Sequence, residues 1–397
     1  MVEWNHTESA GLALSGGSDD RYFLWMRRHS DDTAITNLFP HDMGHLIRDH
    51  WRQFQAPSSE WYFAIGVIML ILELIGLTGN FSVIYIFLTT KYLRRPSNMF
   101  IVNLAFSDFM MMFTIMPMMV VSCFKQKWIF GPLMCEIYGA CGSGFGSVSI
   151  ISMVAIAMNR YRVVVKGLSS EKLTYKQAIL WICLIWIYVG LWTSAPFFGW
   201  SSYILEGNFI NCSLDSVSHN WNSRSYVIGY SIGVYFLPLF FLTYTYYYVA
   251  KTVIQQESAL RKYSRCMSVD QLKPRQSKIT VEAKLSMVAL ITVVMWFVAW
   301  TPYIIFIFLG SFTSGKFFTP LLSLLGAVLA KCASFCDPIV YGVSHPKYRE
   351  ALRERMLKFY KFFSCGKCRP TKENEDHKNQ HELTTIEKNN STTEADH

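Results

Sequence analysis

The stretch FFTPLLSLLGAVLAKCASFCDPIVYGV, residues Phe317 to Val343, places Lys331 near the middle of a long apolar run. A charge at bilayer depth costs at least about 2–3 kcal/mol, so a lysine inside a membrane span is a functional hypothesis by default. Desolvation favours a neutral amine, and a neutral amine can form a Schiff base with an aldehyde. The alternative is a lysine that faces a watery cavity or pairs with Asp337. This stretch alone does not decide between the two.

The composition of the chain predicts contact with lipid. Of the 397 residues, 51% are hydrophobic and only 16% are charged, whereas soluble domains carry about 25% charged residues. A net charge of +9 would suggest nucleic acid if it were spread over a soluble surface. Here Lys and Arg collect in particular loops and in the tail, which is a topology signal. We therefore expect membrane lipids, and no nucleic acid, as partners.

Seven apolar stretches are long enough to cross a bilayer, which takes about 20 residues per helix. The fold class expected is an all-α membrane protein, a seven-transmembrane helix bundle followed by a short amphipathic cytoplasmic helix. The stretches run over Tyr62–Leu88, Asn98–Val121, Cys135–Met158, Ala178–Phe198, Val227–Ala250, Leu285–Leu309 and Phe317–Val343.

The basic loops predict the orientation of the bundle. Lys91, Arg160 and the segment Arg261 to Lys284 belong to loops that alternate with less basic ones, and basic loops are cytoplasmic. With seven spans, the N-terminus then lies outside the cell membrane and the C-terminus inside. Because Met1 to Pro57 contains no apolar signal region, we expect targeting to rest on the first span.

The predicted organisation is an extracellular segment (1–61), the bundle (62–343), an amphipathic helix (346–363) and a disordered cytoplasmic tail (364–397). The helix carries apolar residues along one face among Arg and Lys, which suits the anionic inner leaflet. Cys365 and Cys368 follow it and are candidate palmitoylation sites. Zinc would need a second pair of ligands, so no metal is expected.

Cys135 and Cys212 both fall on the predicted outer side. An oxidising compartment allows a disulfide between them, and two free cysteines are the alternative. The sequons at Asn5 and Asn211 also lie on that side and are candidate glycosylation sites.

Polar residues inside the spans are the next signal. Asn80, Asp108 and Asp337 interrupt apolar runs and should meet in the bundle interior, because exposure to lipid is costly. Such a cluster could have two arrangements and act as a switch. Glu73, in the first span, has no partner that the sequence identifies.

Two further motifs could form a switch. Asn159, Arg160 and Tyr161 close the third span and Glu282 opens the sixth, so an arginine–carboxylate pair could join the two helices. An arginine that only extends toward the membrane surface is an equally good interpretation. In the sixth span, Pro302 lies close to Trp296, Trp300 and Tyr303. These aromatic residues could line a flat ligand cavity above a flexible helix, or they could simply be packing.

Taken together, these motifs resemble the rhodopsin-type (class A) G-protein-coupled receptors, and within them the opsins. The resemblance rests on six ordered motifs: Gly79-Asn80, Leu104-Ala105-x-x-Asp108, Asn159-Arg160-Tyr161, Trp186, Trp300-x-Pro302 and Asp337-Pro338-x-x-Tyr341. A lysine ten residues before Tyr341 separates opsins from other receptors, so Lys331 matches the retinal attachment site. The segment His345-Pro346-Lys347-Tyr348-Arg349 is similar to arthropod and other invertebrate rhabdomeric visual opsins, of the longer-wavelength type.

The resemblance implies a function and its residues. Retinal, as the 11-cis isomer, would be bound covalently to Lys331 as a protonated Schiff base, and Tyr138, Gly146, Trp296, Trp300 and Tyr303 would line its pocket. Tyr138 stands where vertebrate visual opsins have a glutamate counterion. Glu206, six residues before Cys212, is the implied substitute. The partners implied are a heterotrimeric G protein of the Gq class, arrestin and a receptor kinase, in a photoreceptor membrane.

Two departures from the family pattern concern signalling. The family has Asp or Glu where this chain has Asn159, and Asn where it has Asp337. We expect a weaker latch on Arg160, with Glu282 as its main partner. The alternatives are an opsin-fold retinal photoisomerase, against which the intact Arg160-Tyr161 pair argues, and a receptor for a diffusible ligand. An enzymatic function is not expected.

Overall fold

A computed structural model describes residues 41–54, 57–167, 173–263, 269–313 and 318–364. The candidate sites at Asn5, Cys365 and Cys368 lie outside these ranges. The chain divides into two compact units, Met1–His345 and Pro346–His397, which are described separately.

The described part of the first unit contains seven helices long and apolar enough to cross a membrane, which confirms the predicted bundle. Several extend beyond the predicted stretches because polar residues continue a helix into the interfacial region. The helices are α1 Ser59–Thr89, α2 Pro96–Lys125, α3 Gly131–Lys166, α4 Tyr175–Phe198, α5 Trp221–Ala259, α6 Thr280–Phe312 and α7 Pro320–Ser344. Regular helix continues from α5 to Tyr263, and α6 is preceded by helix from Val269.

Prolines inside α2, α5, α6 and α7 interrupt the helical hydrogen bonding, since proline has no N–H to donate. The helix in α2 is divided at Ile115, just before Pro117. In α5 a π-helical segment, Ile232–Phe236, precedes Pro238. Pro302 and Pro338 lie inside α6 and α7. These positions are where helices most readily bend.

A two-stranded antiparallel sheet lies between α4 and α5. β1, Tyr203–Leu205, pairs with β2, Cys212–Leu214, and Leu205 lies opposite Cys212. A disulfide joins Cys212 to Cys135 at the start of α3, with 5.4 Å between their Cα atoms, so the predicted bridge is present. We call the sheet, its connecting turn and the segment 41–54 the lid, since each of the three contributes buried residues to one core cluster that also includes residues of the helix bundle.

In the second unit, the helix α8 runs over Pro346–Ser364, one residue longer than predicted. Met356, Leu357 and Tyr360 are exposed, so these three of the apolar side chains predicted to contact lipid are uncovered.

Candidate ligand-binding site

Lys331 lies on α7, whose start is well defined. The Thr319 hydroxyl accepts the Leu322 N–H at 3.4 Å, and Pro320 occupies the first turn, where a missing N–H costs nothing. Three turns further along, the Lys331 ammonium nitrogen lies 3.4 Å from the Ala327 carbonyl oxygen and 5.8 Å from the centre of the Tyr138 ring. The amine is therefore inside the bundle, between α7 and α3.

The residues predicted from the sequence to form a ligand site come together around one cavity. Its walls come from α2, α3, α5, α6, α7 and the lid, and both an amine and a carboxylate face it. The predicted residues lining it are Tyr138, Gly146, Glu206, Trp296, Trp300, Tyr303 and Lys331. An aromatic cavity with a few convergent polar groups is typical of a small-molecule site.

Close packing of Trp300 against α3 shapes one wall of this cavity. A Cβ atom added at Gly146 would lie 2.6 Å from Cη2 of Trp300, so only glycine lets the indole approach this closely. Trp300 also stacks on Trp296 at 5.3 Å and meets Tyr303 edge to face at 5.9 Å between ring centres. These aromatic residues of α6 therefore form a continuous surface rather than isolated packing contacts.

Glu206, in the turn between β1 and β2, supplies the carboxylate. Its side chain is buried, and Oε2 accepts a hydrogen bond from the Ser323 hydroxyl of α7 at 2.5 Å. Within the described ranges, ion pairs join Arg48 to Asp215, Arg52 to Asp49 and Arg160 to Glu282. Lys331 and Glu206 thus line the same cavity without a direct ion pair.

Ser323 is a site residue that the sequence reasoning missed. It lies two helical turns before Lys331, so helical periodicity could have placed it on the same face of α7. Nothing in the sequence, however, connects it to Glu206, which is 117 residues away.

The prediction of a glycan at Asn211 is wrong for this fold. The side chain is 1% exposed and lines the ligand cavity, so an attached sugar would have no room. The sequon pattern identifies the acceptor residue type but carries no information on burial.

The polar residues of the spans meet in the interior below the cavity, as expected. The Asn80 amide donates to the Ser334 carbonyl oxygen at 2.8 Å, and the Ser334 hydroxyl donates to Asp108 at 2.9 Å. The Ser149 hydroxyl donates to the same Asp108 oxygen at 2.8 Å. Asp337 is buried one turn after Ser334, so α1, α2, α3 and α7 meet at this cluster. Glu73 is also buried, about two helical turns before Asn80 in α1.

At the opposite end from the lid, Arg160 of α3 reaches Glu282 of α6, with 3.3 Å between Nη1 and Oε2. Tyr161 points instead toward α5, where its ring centre is 6.3 Å from that of Tyr244. Asn159 lines an outer groove with residues of α4. Glu282 is therefore the carboxylate that holds Arg160.

Pro338 and Tyr341 complete the predicted switch on α7. Pro338 lies inside the helix, and Tyr341 is buried with its ring centre 6.5 Å from that of Phe87 on α1. The sequence motif that contains both residues thus lies at the contact between α7 and α1.

The fold and the site define a class of protein. A family model described as "7 transmembrane receptor (rhodopsin family)" matches residues 79–341, and the chain belongs to this family. Members of this family are receptors rather than enzymes.

The relatives narrow the class. The chain is 44% identical to the lateral eye opsin of Limulus polyphemus over 340 residues, 85% of this chain and 89% of that one. It is 46% identical to opsin Rh1 of Calliphora vicina, covering 81% and 87% of the two chains. A crystal structure of squid rhodopsin superposes with a TM-score of 0.76 at 32% identity, covering 86% of this chain and 96% of that one. This chain is accordingly a light-sensing opsin of the invertebrate rhabdomeric type.

Proposed function

We propose that this opsin holds 11-cis retinal on Lys331 as a protonated Schiff base, with Glu206 as the counterion, and that light makes it activate a Gq-class G protein. The observation that carries the proposal is the shared cavity: one amine, one carboxylate and a continuous aromatic wall face the same space.

The residues present fit such a chromophore. A flat polyene suits the surface formed by Trp296, Trp300 and Tyr303, since aromatic side chains bury large apolar area in defined geometries. The lysine supplies the amine for an aldehyde, and a carboxylate within the same low-dielectric space would stabilise a cation there.

Bound retinal would supply a light-driven change of shape, and the protein would convert it into helix movement. Trp300 has no free space against Gly146, and a close-packed wall does not deform continuously. Force on Trp300 would therefore move α6, which can bend at Pro302. Because α6 also carries Glu282, this bend would separate Glu282 from Arg160.

Separation of that ion pair would open a groove at the end of the bundle opposite the lid, into which a G-protein helix could insert. The basic loops favour a cytoplasmic position for this end, where we also expect arrestin, a receptor kinase and the tail with Cys365 and Cys368. The lid and the N-terminus would face outward from a rhabdomeric photoreceptor membrane.

Replacing the attachment lysine tests the proposal directly. Lys331→Ala, purified and incubated with 11-cis retinal, should show no visible absorbance because the covalent bond cannot form. Lys91→Ala, which removes an exposed lysine, is the matched control and should form pigment normally. Borohydride reduction followed by peptide mapping should place the chromophore on the peptide that contains Lys331. A light-sensitive visible band in Lys331→Ala would refute the proposal.

The counterion and the partner need separate measurements. Glu206→Gln should shift absorbance toward the ultraviolet at neutral pH, and an unchanged spectrum would exclude Glu206 as the counterion. Light should stimulate nucleotide exchange on purified Gq more than on Gi. If light instead produced only a change in the isomer of released retinal, the chain would be a photoisomerase.

A further inference from the structure

A buried hydrogen bond links the turn between β1 and β2 to α7, next to the proposed attachment site. The Ser323 hydroxyl donates to Oε2 of Glu206 at 2.5 Å, and the two residues are 2% and 4% exposed. A hydrogen bond to an ionised carboxylate is among the stronger kinds, particularly away from water. Ser323 therefore has the geometry to decide where the carboxylate group of Glu206 lies.

The backbone at Glu206 is held independently of this bond. Its N–H donates to the Asn211 carbonyl oxygen at 3.0 Å, and its own carbonyl oxygen accepts the Phe209 N–H at 2.8 Å. The next residue, Gly207, lies under Trp51, where an added Cβ would come within 2.7 Å of Cδ2 of the indole. With the backbone fixed in this way, loss of the Ser323 hydroxyl would release only the Glu206 side chain.

The amine of Lys331, whose protonated Schiff base Glu206 would stabilise, contacts a backbone carbonyl group instead of Glu206. Lys331 lies at 3.4 Å from the Ala327 carbonyl oxygen, and Glu206 forms its bond with Ser323 instead of an ion pair with Lys331. We propose that Ser323 is a positioning residue that holds the carboxylate of Glu206 away from Lys331 and thereby tunes the wavelength the pigment absorbs. This inference rests on the proposed attachment of retinal to Lys331.

The direction of tuning follows from electrostatics. Excitation of a protonated Schiff base moves positive charge away from the nitrogen, so a nearby anion stabilises the ground state more than the excited state. Their interaction strengthens as the distance shortens, most of all where the effective dielectric constant is low. A carboxylate restrained by Ser323 thus favours longer wavelengths, and a released one, drawn toward the cation, favours shorter wavelengths.

Ser323→Ala should therefore shift the visible maximum to shorter wavelength. Ser323→Thr keeps the hydroxyl group and should absorb at the wild-type maximum. A purely structural role of Ser323 would not predict this dependence on the hydroxyl group. Ser122→Ala is the matched control, because Ser122 is a buried serine whose hydroxyl has no partner among the described residues; it should leave the maximum unchanged. An unchanged or longer-wavelength maximum in Ser323→Ala would overturn the inference.

The same substitution in the Glu206→Gln background separates an effect through the carboxylate from a direct one. At acidic pH, where the linkage can be protonated without Glu206, Ser323→Ala should then move the maximum little or not at all. An equal shift in both backgrounds would mean that Ser323 acts on the chromophore itself and would also overturn the inference. Failure of the wild-type protein to form any pigment would instead refute the proposed function.

Discussion

The two ends of this bundle are built very differently. At the lid, covalent and buried contacts accumulate: the Cys135–Cys212 disulfide, the Arg48–Asp215 ion pair at 2.8 Å and the bond from the Tyr62 hydroxyl to the Asn208 carbonyl oxygen at 2.8 Å. At the opposite end, within the described residues, a single ion pair joins Arg160 to Glu282.

Buried polar groups without partners lie at both ends, so they do not distinguish them. Among the described residues, Nε of Arg160 and the hydroxyl groups of Tyr246 and Ser286 make no hydrogen bond at one end, and neither do Nε1 of Trp51, Nδ2 of Asn208 and Oδ1 of Asn211 at the lid. The difference lies in the cross-links, which are covalent and ionic at the lid and only ionic at the Arg160 end. The comparison indicates a rigid end that holds a ligand and a less constrained end able to change, as expected of a two-state receptor.

The largest effect we predict comes from the disulfide, because a rigid lid depends on it most. Cys135→Ser should lower stability by about 2–5 kcal/mol, seen as faster thermal loss of the dark pigment. Cys183→Ser, which replaces an exposed free cysteine, should have little effect. Equal thermal stability of the two variants would show that the lid is not the rigid end.

The ion pair between Arg48 of segment 41–54 and Asp215, the residue after β2, should contribute less. Arg48→Ala leaves the carboxylate of Asp215 buried without its cation, but Arg48 is 34% exposed, so water can partly compensate. We expect a loss of about 1–2 kcal/mol and faster attack of hydroxylamine on the dark pigment. The double variant Arg48→Ala/Asp215→Asn should recover part of the loss, and a double variant worse than the single one would contradict this account.

At the Arg160 end, removing the one ion pair should change signalling rather than folding. Glu282→Gln should raise nucleotide exchange in the dark about fivefold, corresponding to roughly 1 kcal/mol for a partly exposed pair. Glu257→Gln, at an exposed position near the end of α5, is the control. If dark exchange stayed at the wild-type level, another contact would have to hold the closed state.

The same contrast separates what could and could not be predicted from the sequence. The seven helices follow from runs of about 20 apolar residues, since lipid requires each segment to satisfy its own backbone hydrogen bonds. Lys331, Asp108 and Arg160 stand out because charged residues are expensive in such runs. These signals are local, so they are readable without a structure.

The lid contacts depend on distant segments and leave no local signal. No sequence pattern around Ser323 indicates its contact with Glu206. Trp51 likewise belongs to a polar stretch that does not indicate packing over Gly207. At Asn211 a local signal is present but misleading, because the sequon is intact while the fold buries the side chain. Pairings of this kind are set by tertiary structure.

The smallest predicted effect concerns pH at the lid. The Nε2 atom of His50 lies 2.9 Å from the Phe318 carbonyl oxygen, and Gln53 donates to Nδ1 at 3.2 Å, which fixes a neutral ring with its proton on Nε2. Burial lowers the pKa of His50 below its usual 6.5, and the nearby His219 lowers it further. Phe318 opposes this shift by accepting a hydrogen bond.

Because the detached segment would take up a proton more readily than the docked one, the contribution of His50 is complete above pH 6.5 and declines as the pH falls below that value. Hydroxylamine attack on the dark pigment, compared at matched free-hydroxylamine concentration, should accelerate modestly from neutral to mildly acidic pH. His50→Gln should remove the acceleration, while His45→Gln, nearby on the same segment, should retain it. An equally steep pH dependence in His50→Gln would mean that another group loosens the lid.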